Sequence, residues 1–87
     1  MDKDYPVQTT KYITVDLPVL KRGSKDDTVK AMQGLLLGYG YDLGGKGIDG
    51  SFGAATEKAL TEYQSKNGLE PDGSCGRKTW TSLLNLD

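Results

Sequence analysis

One phrase occurs twice in this chain. Ile48-Asp49-Gly50-Ser51-Phe52-Gly53-Ala54-Ala55-Thr56 returns further along as Pro71-Asp72-Gly73-Ser74-Cys75-Gly76-Arg77-Lys78-Thr79, with Asp, Gly, Ser, Gly and Thr identical in register. Leu60 and Leu83 carry the correspondence on at the same offset. Asp-Gly is a turn pair: the carboxylate accepts from the backbone N–H two residues on, and glycine takes a positive φ without strain. The next apolar residue, Phe52 or Cys75, is then placed to plug a core just before a helix begins. Gly53 and Gly76 permit close backbone approach, and the hydroxyls of Thr56 and Thr79 can reach back to the turn. Each copy therefore reads as scaffold, a bend that launches a helix.

A calcium loop is the competing reading of paired Asp-Gly bends, and the spacing rejects it. An EF-hand loop needs oxygen ligands at positions 1, 3, 5 and 12 around a glycine at 6. With Gly50 at position 6, those places hold Gly45, Gly47, Asp49 and Thr56; with Gly73 they hold Gly68, Glu70, Asp72 and Thr79. Neither copy has a carboxylate at position 1 or 12.

Helical periodicity surrounds the repeat. Ser24-Lys25-Asp26-Asp27 has the form of a capping box, with Ser24 as N-cap. Val29, Met32, Gln33 and Leu36 then fall on one face, flanked by Leu35 and Leu37, until Gly38 and Gly40 stop the run. Thr56, Ala59, Leu60 and Tyr63 predict a second amphipathic helix over about 53–67, with Glu57, Lys58, Glu62 and Lys66 outside and Gly68 as its C-terminal cap. A short third helix over about 76–85 turns Trp80, Leu83 and Leu84 inward. Trp80 reads as core with its indole N–H at an edge, and Cys75 as a small buried hydrophobe. Ile13, Val15 and Leu17 alternate with polar residues, which suggests a strand-like arm closed by Pro18. The expected organisation is an extended arm or linker end over 1–19 and one mainly α, three-helix domain with Gly-rich loops over 20–87.

Composition narrows the chemistry. There are 87 residues, no His and one Cys, with 11 Lys and Arg against 12 Asp and Glu. Lacking imidazole, the chain cannot build a His-containing triad, a Cys-His pair or the usual zinc sites, and one Cys forms no internal disulfide. A net charge of −1 gives no field to draw nucleic acid or an anionic membrane. No apolar run approaches the roughly 20 residues of a bilayer span. A carboxylate pair for glycoside cleavage, such as Asp49 with Glu57, would need a cleft of defined width that so small a helical domain does not offer. No cofactor or metal is expected. Met1-Asp-Lys-Asp-Tyr-Pro lacks the cationic and apolar parts of a secretory signal, so the chain is expected either to be cut from something longer or to be exported by another route.

From Leu20 to Leu84, about three quarters of the chain, these motifs resemble a known family. Leu20, Gly23-Ser24, Val29 through Met32-Gln33 to Leu36, Asp49-Gly50-Ser51-Phe52-Gly53 with Thr56, Ala59-Leu60, Tyr63-Gln64, Gly68-Leu69, and Asp72-Gly73-Ser74-Cys75-Gly76 with Thr79-Trp80 are similar to the type 1 peptidoglycan-binding domain attached to bacterial and phage cell-wall hydrolases. Met32, Tyr63 and Cys75 depart mildly, where Leu, Phe and a Val-like residue are usual. The resemblance implies a three-helix, non-catalytic module that holds a covalently linked hydrolase, often an N-acetylmuramoyl-L-alanine amidase, on murein. It also implies an extracellular or cell-wall setting and an endolysin-like parent.

The expected ligand surface is the Gly-rich segment with Tyr39, Tyr41, Asp42 and Lys46, which offers two aromatic faces and one group of each charge. Gln64 joins it as a candidate contact; Gln33 and Gln64 each sit beside an apolar stripe and resemble the family's repeated Gln positions. A half-buried glutamine more often bonds a nearby backbone group than a ligand. The rival function is a protein-docking or regulatory domain acting on its own catalytic partner, with the arm adding to a sheet edge.

Overall fold

The structure, a computed structural model, describes residues 17–85. Three α-helices, α1 (Asp27–Gly38), α2 (Ala54–Lys66) and α3 (Arg77–Leu83), are joined by loops, with a 3₁₀ turn at Gly44–Lys46 between the first two. No strand longer than an isolated bridge occurs among the described residues. Ile13 and Val15, on which the strand-like arm rested, lie outside them. Leu17 is described, and packs partly buried against the core.

The helices close on one apolar centre. Leu20, Val29, Met32, Leu36, Leu43, Phe52, Ala59, Leu60, Tyr63, Cys75, Trp80 and Leu83 are all buried. Burying a side chain the size of Leu or Phe contributes ~1.5–3 kcal/mol, so this cluster supplies the main stabilisation of a domain without disulfides. Phe52 and Cys75 fill matching places, one from each copy of the repeat. Leu84, expected inward, is exposed. It caps α3 rather than continuing it, and the turn of chain at Asn85 (φ 59) carries the end away.

The start of α1 differs from the sequence expectation. Asp26, not Ser24, is the N-cap: its Oδ1 accepts from Val29 N–H at 3.1 Å. Ser24 cannot open the helix because its carbonyl accepts from Phe52 N–H at 2.9 Å, and Asp26 N–H donates to Gly50 O at 3.2 Å. The stretch is thus held extended along the first bend, with Lys25 bridged to Ser51. The Ser24 hydroxyl accepts from Lys21 N–H at 3.2 Å instead. Upstream, Leu20 exchanges both backbone bonds with Cys75 (3.1 and 2.7 Å). The entering chain therefore stitches the two bends together before the first helix begins. Trp80 completes this seam, its indole N–H donating to Pro18 O at 2.8 Å.

Candidate functional site

The two bends are built alike, and a buried glutamine is the centre of each. Gln33 is 0% exposed; its Nε2 donates towards Asp49 Oδ1 (3.1 Å), Ser51 O (3.1 Å) and Thr56 Oγ1 (3.0 Å), and its Oε1 accepts from Asp49 and Gly50 N–H. Gln64 is 1% exposed and repeats the pattern with Asp72 Oδ1, Ser74 O, Thr79 Oγ1 and Gly73 N–H. An amide NH₂ has two hydrogens, so three acceptors at this range share them. Asp49 and Asp72 each accept from the N–H two residues on, at 3.0 Å. The Ser51 N–H first, and the Gln33 amide second, hold the Asp49 carboxyl below its usual range.

Gly50 (φ 77) and Gly73 (φ 75) take the left-handed conformation the bends require. A Cβ on Gly50 would meet Lys30 Cε at 3.1 Å, and one on Gly73 would meet Glu57 Cγ at 3.3 Å, so each bend also lies close against the preceding helix. Gly53 and Gly76 are extended N-caps with open space around them, not points of close approach. Thr56 and Thr79 do reach the bends, but through the glutamines.

Gln64 therefore does not present its side chain to a ligand. It is buried with its amide committed to the second bend, which corrects the expectation that it belongs to the contact surface.

The tyrosines do come together. α1 ends in a Schellman motif, in which Tyr41 N–H reaches back to Leu36 O at 2.9 Å and Gly40 N–H to Leu37 O. This return lays Tyr41 edge-on against Tyr63 at 5.7 Å between ring centroids, while Tyr39 tilts on the same ring at 5.4 Å. Tyr63 is buried beneath them. Burial pushes its phenol above the ordinary value, although its 2.6 Å bond with Ser82 Oγ works the other way. Tyr39 is 47% exposed, yet its hydroxyl is pinned, donating to Leu83 O at 2.8 Å. Lys66 Nζ stands 5.9 Å from the Tyr41 ring centroid, within cation–π range. The result is a fixed aromatic ledge with an ammonium at its edge.

Asp42 and Lys46 have other places. Asp42 Oδ1 accepts from Gly44 N–H at 2.8 Å and so shapes the 3₁₀ turn. Lys46 lines a depression of about 290 Å³ against the first bend, and no tyrosine lines it. The ledge members missed from sequence are Tyr63 and Lys66; their i, i+3 placement on one helix is the signal that could have found them.

A second depression, of about 580 Å³, lies at the second bend. Asp49, Ser51, Gly53, Ala54, Ala55 and Thr56 line the first; their repeat counterparts Asp72, Ser74, Gly76, Arg77, Lys78 and Thr79 line the second. They are one groove built twice. Among the described residues, no cluster of His, Cys, Asp and Glu is arranged to hold a metal ion.

A bundle of three helices on two glutamine-centred bends defines a small module class, and comparison places the chain within it. Residues 25–83 match the family model described as a peptidoglycan binding domain, and the chain belongs to that family. It is 37% identical to the N-acetylmuramoyl-L-alanine amidase CwlL of Bacillus licheniformis over 68 residues, 78% of this chain and 19% of that protein. It is 36% identical to the zinc D-Ala-D-Ala carboxypeptidase of Streptomyces albus G over 67 residues, 77% of this chain and 26% of the relative. The crystal structure of the SleB N-terminal domain superimposes with a TM-score of 0.73 at 38% identity, covering 78% of this chain and 90% of that one. The chain thus spans about a fifth to a quarter of the curated relatives described here. Its fold and family are those of a binding module found in cell-wall hydrolases.

Proposed function

We propose that this chain holds a covalently linked cell-wall hydrolase, such as an N-acetylmuramoyl-L-alanine amidase, on peptidoglycan outside the cell or in its wall. The observation that carries the reading is the ledge of Tyr39, Tyr41 and Tyr63 with Lys66, set on a member of the peptidoglycan-binding family. Sugar rings present C–H faces that pack on aromatic faces, and a ring fixed in advance loses little freedom on binding. Tyr39 meets that condition through its bond to Leu83 O. Tethering makes even a weak grip useful, because the linked enzyme then works at high local substrate concentration.

Co-sedimentation with purified sacculi tests this. The chain should pellet, Tyr39→Ala should lose most of that retention, and Tyr39→Phe, which keeps the ring but frees it from Leu83 O, should lose a smaller part. A chain that stays in the supernatant and binds an isolated hydrolase domain tightly would replace this reading with docking on a catalytic partner.

A further inference from the structure

The two copies of the groove differ most where the helix begins, although Lys46 also lines the first. Where the first has Ala54 and Ala55, the second has Arg77 and Lys78. Both cations are exposed, and no carboxylate among the described residues lies within ion-pair distance of either. Glu70 also lines this groove and is exposed. Asp72 lines the groove too, with its Oδ1 serving the Ser74 N–H and the Gln64 amide. Leu69 and Val19 supply the apolar part of the lining, Val19 being 63% exposed.

We propose that this second groove is a separate site for the stem peptide of peptidoglycan, distinct from the tyrosine ledge and additional to it. The inference rests on the proposed peptidoglycan-binding function. A stem peptide carries free carboxylates, an amine on its diamino acid, and alanine methyl groups; a neutral sugar carries neither charge. Groups of both signs around an apolar wall therefore complement the peptide better than the glycan. The charge comes from the Arg77 and Lys78 side chains, not from the short helix that bears them. A volume of about 580 Å³ falls within the ~300–1,000 Å³ of small-ligand sites, whereas the first groove, at about 290 Å³, sits at the lower edge. The floor is preorganised, because the Leu20–Cys75 bridge and the Gln64 network fix the chain on either side.

Titration of the full chain with three soluble probes tests the proposal: a disaccharide-tetrapeptide muropeptide, the neutral N-acetylglucosamine disaccharide as the bare disaccharide, and the free tetrapeptide. The wild type should bind the muropeptide at least about tenfold more tightly than the bare disaccharide. The double variant Arg77→Ala/Lys78→Ala should lose about tenfold for the muropeptide and nothing for the bare disaccharide, while Tyr39→Ala should weaken both. Arg77→Lys should retain most of the peptide contribution, and thermal melts of the Arg77 and Lys78 variants should match the wild type. Free tetrapeptide binding that the double variant abolishes would show that the groove reads peptide without sugar. Equal wild-type affinity for muropeptide and bare disaccharide, or a folded double variant that binds the muropeptide like wild type, would overturn the groove while leaving the ledge standing. A wild type that binds no probe and no sacculi would overturn the proposed function and this inference together.

Discussion

Replacing Gln33 with alanine should cost this domain more than any single charge on its surface. The substitution removes the donor to Ser51 O and Thr56 Oγ1 and the acceptor for the Gly50 and Asp49 N–H groups. Gly50 is buried, so its N–H has no water to turn to. One stranded buried donor costs ~1–3 kcal/mol, and truncating a fully buried side chain of this size costs ~2–5 kcal/mol in transfer and cavity terms. The two overlap, giving a loss of about 3–5 kcal/mol. A chain this long is held by only about 4–13 kcal/mol, so the loss takes a large part of its stability. At ~4–8 °C per kcal/mol the melting temperature should fall by at least about 12 °C. Urea unfolding, followed by circular dichroism and by the emission of Trp80, measures it. Gln64→Ala should match it, since Gln64 makes nearly the same set of bonds. Gln33→Glu separates size from hydrogen bonding: it keeps the volume but sets a carboxylate against Asp49 Oδ1 and Ser51 O. It should be severely destabilised at pH 7 and partly recover as acid protonates it. A Gln33→Ala loss below about 1 kcal/mol would refute the reasoning and mean that the bends hold themselves.

Further outcomes follow from the same geometry. Gly50→Ala and Gly73→Ala should each destabilise by about 1–2 kcal/mol or more in denaturant melts, from left-handed strain plus the close contacts, whereas Gly53→Ser should be neutral or stabilising by a few tenths, since serine can cap α2. Burial pushes the Cys75 thiol up to about 12, so the unfolded chain ionises first above about pH 9; stability present below that pH should drain away as pH rises towards 12, less so in Cys75→Val. Native Cys75 should also resist thiol reagents until the protein unfolds. At the acid end, the lowered Asp49 carboxyl stabilises the fold above its unfolded value near 4, and that contribution should vanish as pH falls through the folded value; Asp49→Asn should flatten this limb. Glu57→Gln should change stability by no more than ~1 kcal/mol, because the 2.8 Å pair with Arg22 is substantially exposed.

Much of this is legible in the chain. The doubled bend, the three helices and the inward places of Phe52, Cys75 and Trp80 follow from turn chemistry and helical period, both local properties. What escapes is non-local. The repeat includes the preceding helices, because Gln33 stands to the first bend as Gln64 stands to the second. The two glutamines lie further apart in sequence than the two bends do, since the first loop is longer by the stretch around the Gly44–Lys46 turn. No fixed offset therefore exposes that longer correspondence. Ser24 has the chemistry of a cap, but its backbone is taken by Phe52, a partner beyond the whole of α1. Gln64 shows the same limit: amphipathic position alone does not distinguish a buried amide bonded to a bend from one waiting for a ligand. The Gly-rich segment reads in sequence as one surface, yet the Schellman return sends its tyrosines to Tyr63 and leaves Lys46 at the first groove.

The most direct measurement is an amide-resolved NMR titration of the chain with soluble, peptide-free glycan strands. Saturable shifts should gather at Tyr39, Tyr41 and Lys66 while the strands stay uncleaved. An unperturbed ledge, with shifts elsewhere or none at all, or shortening of the strands, would contradict a passive aromatic grip on the wall polymer.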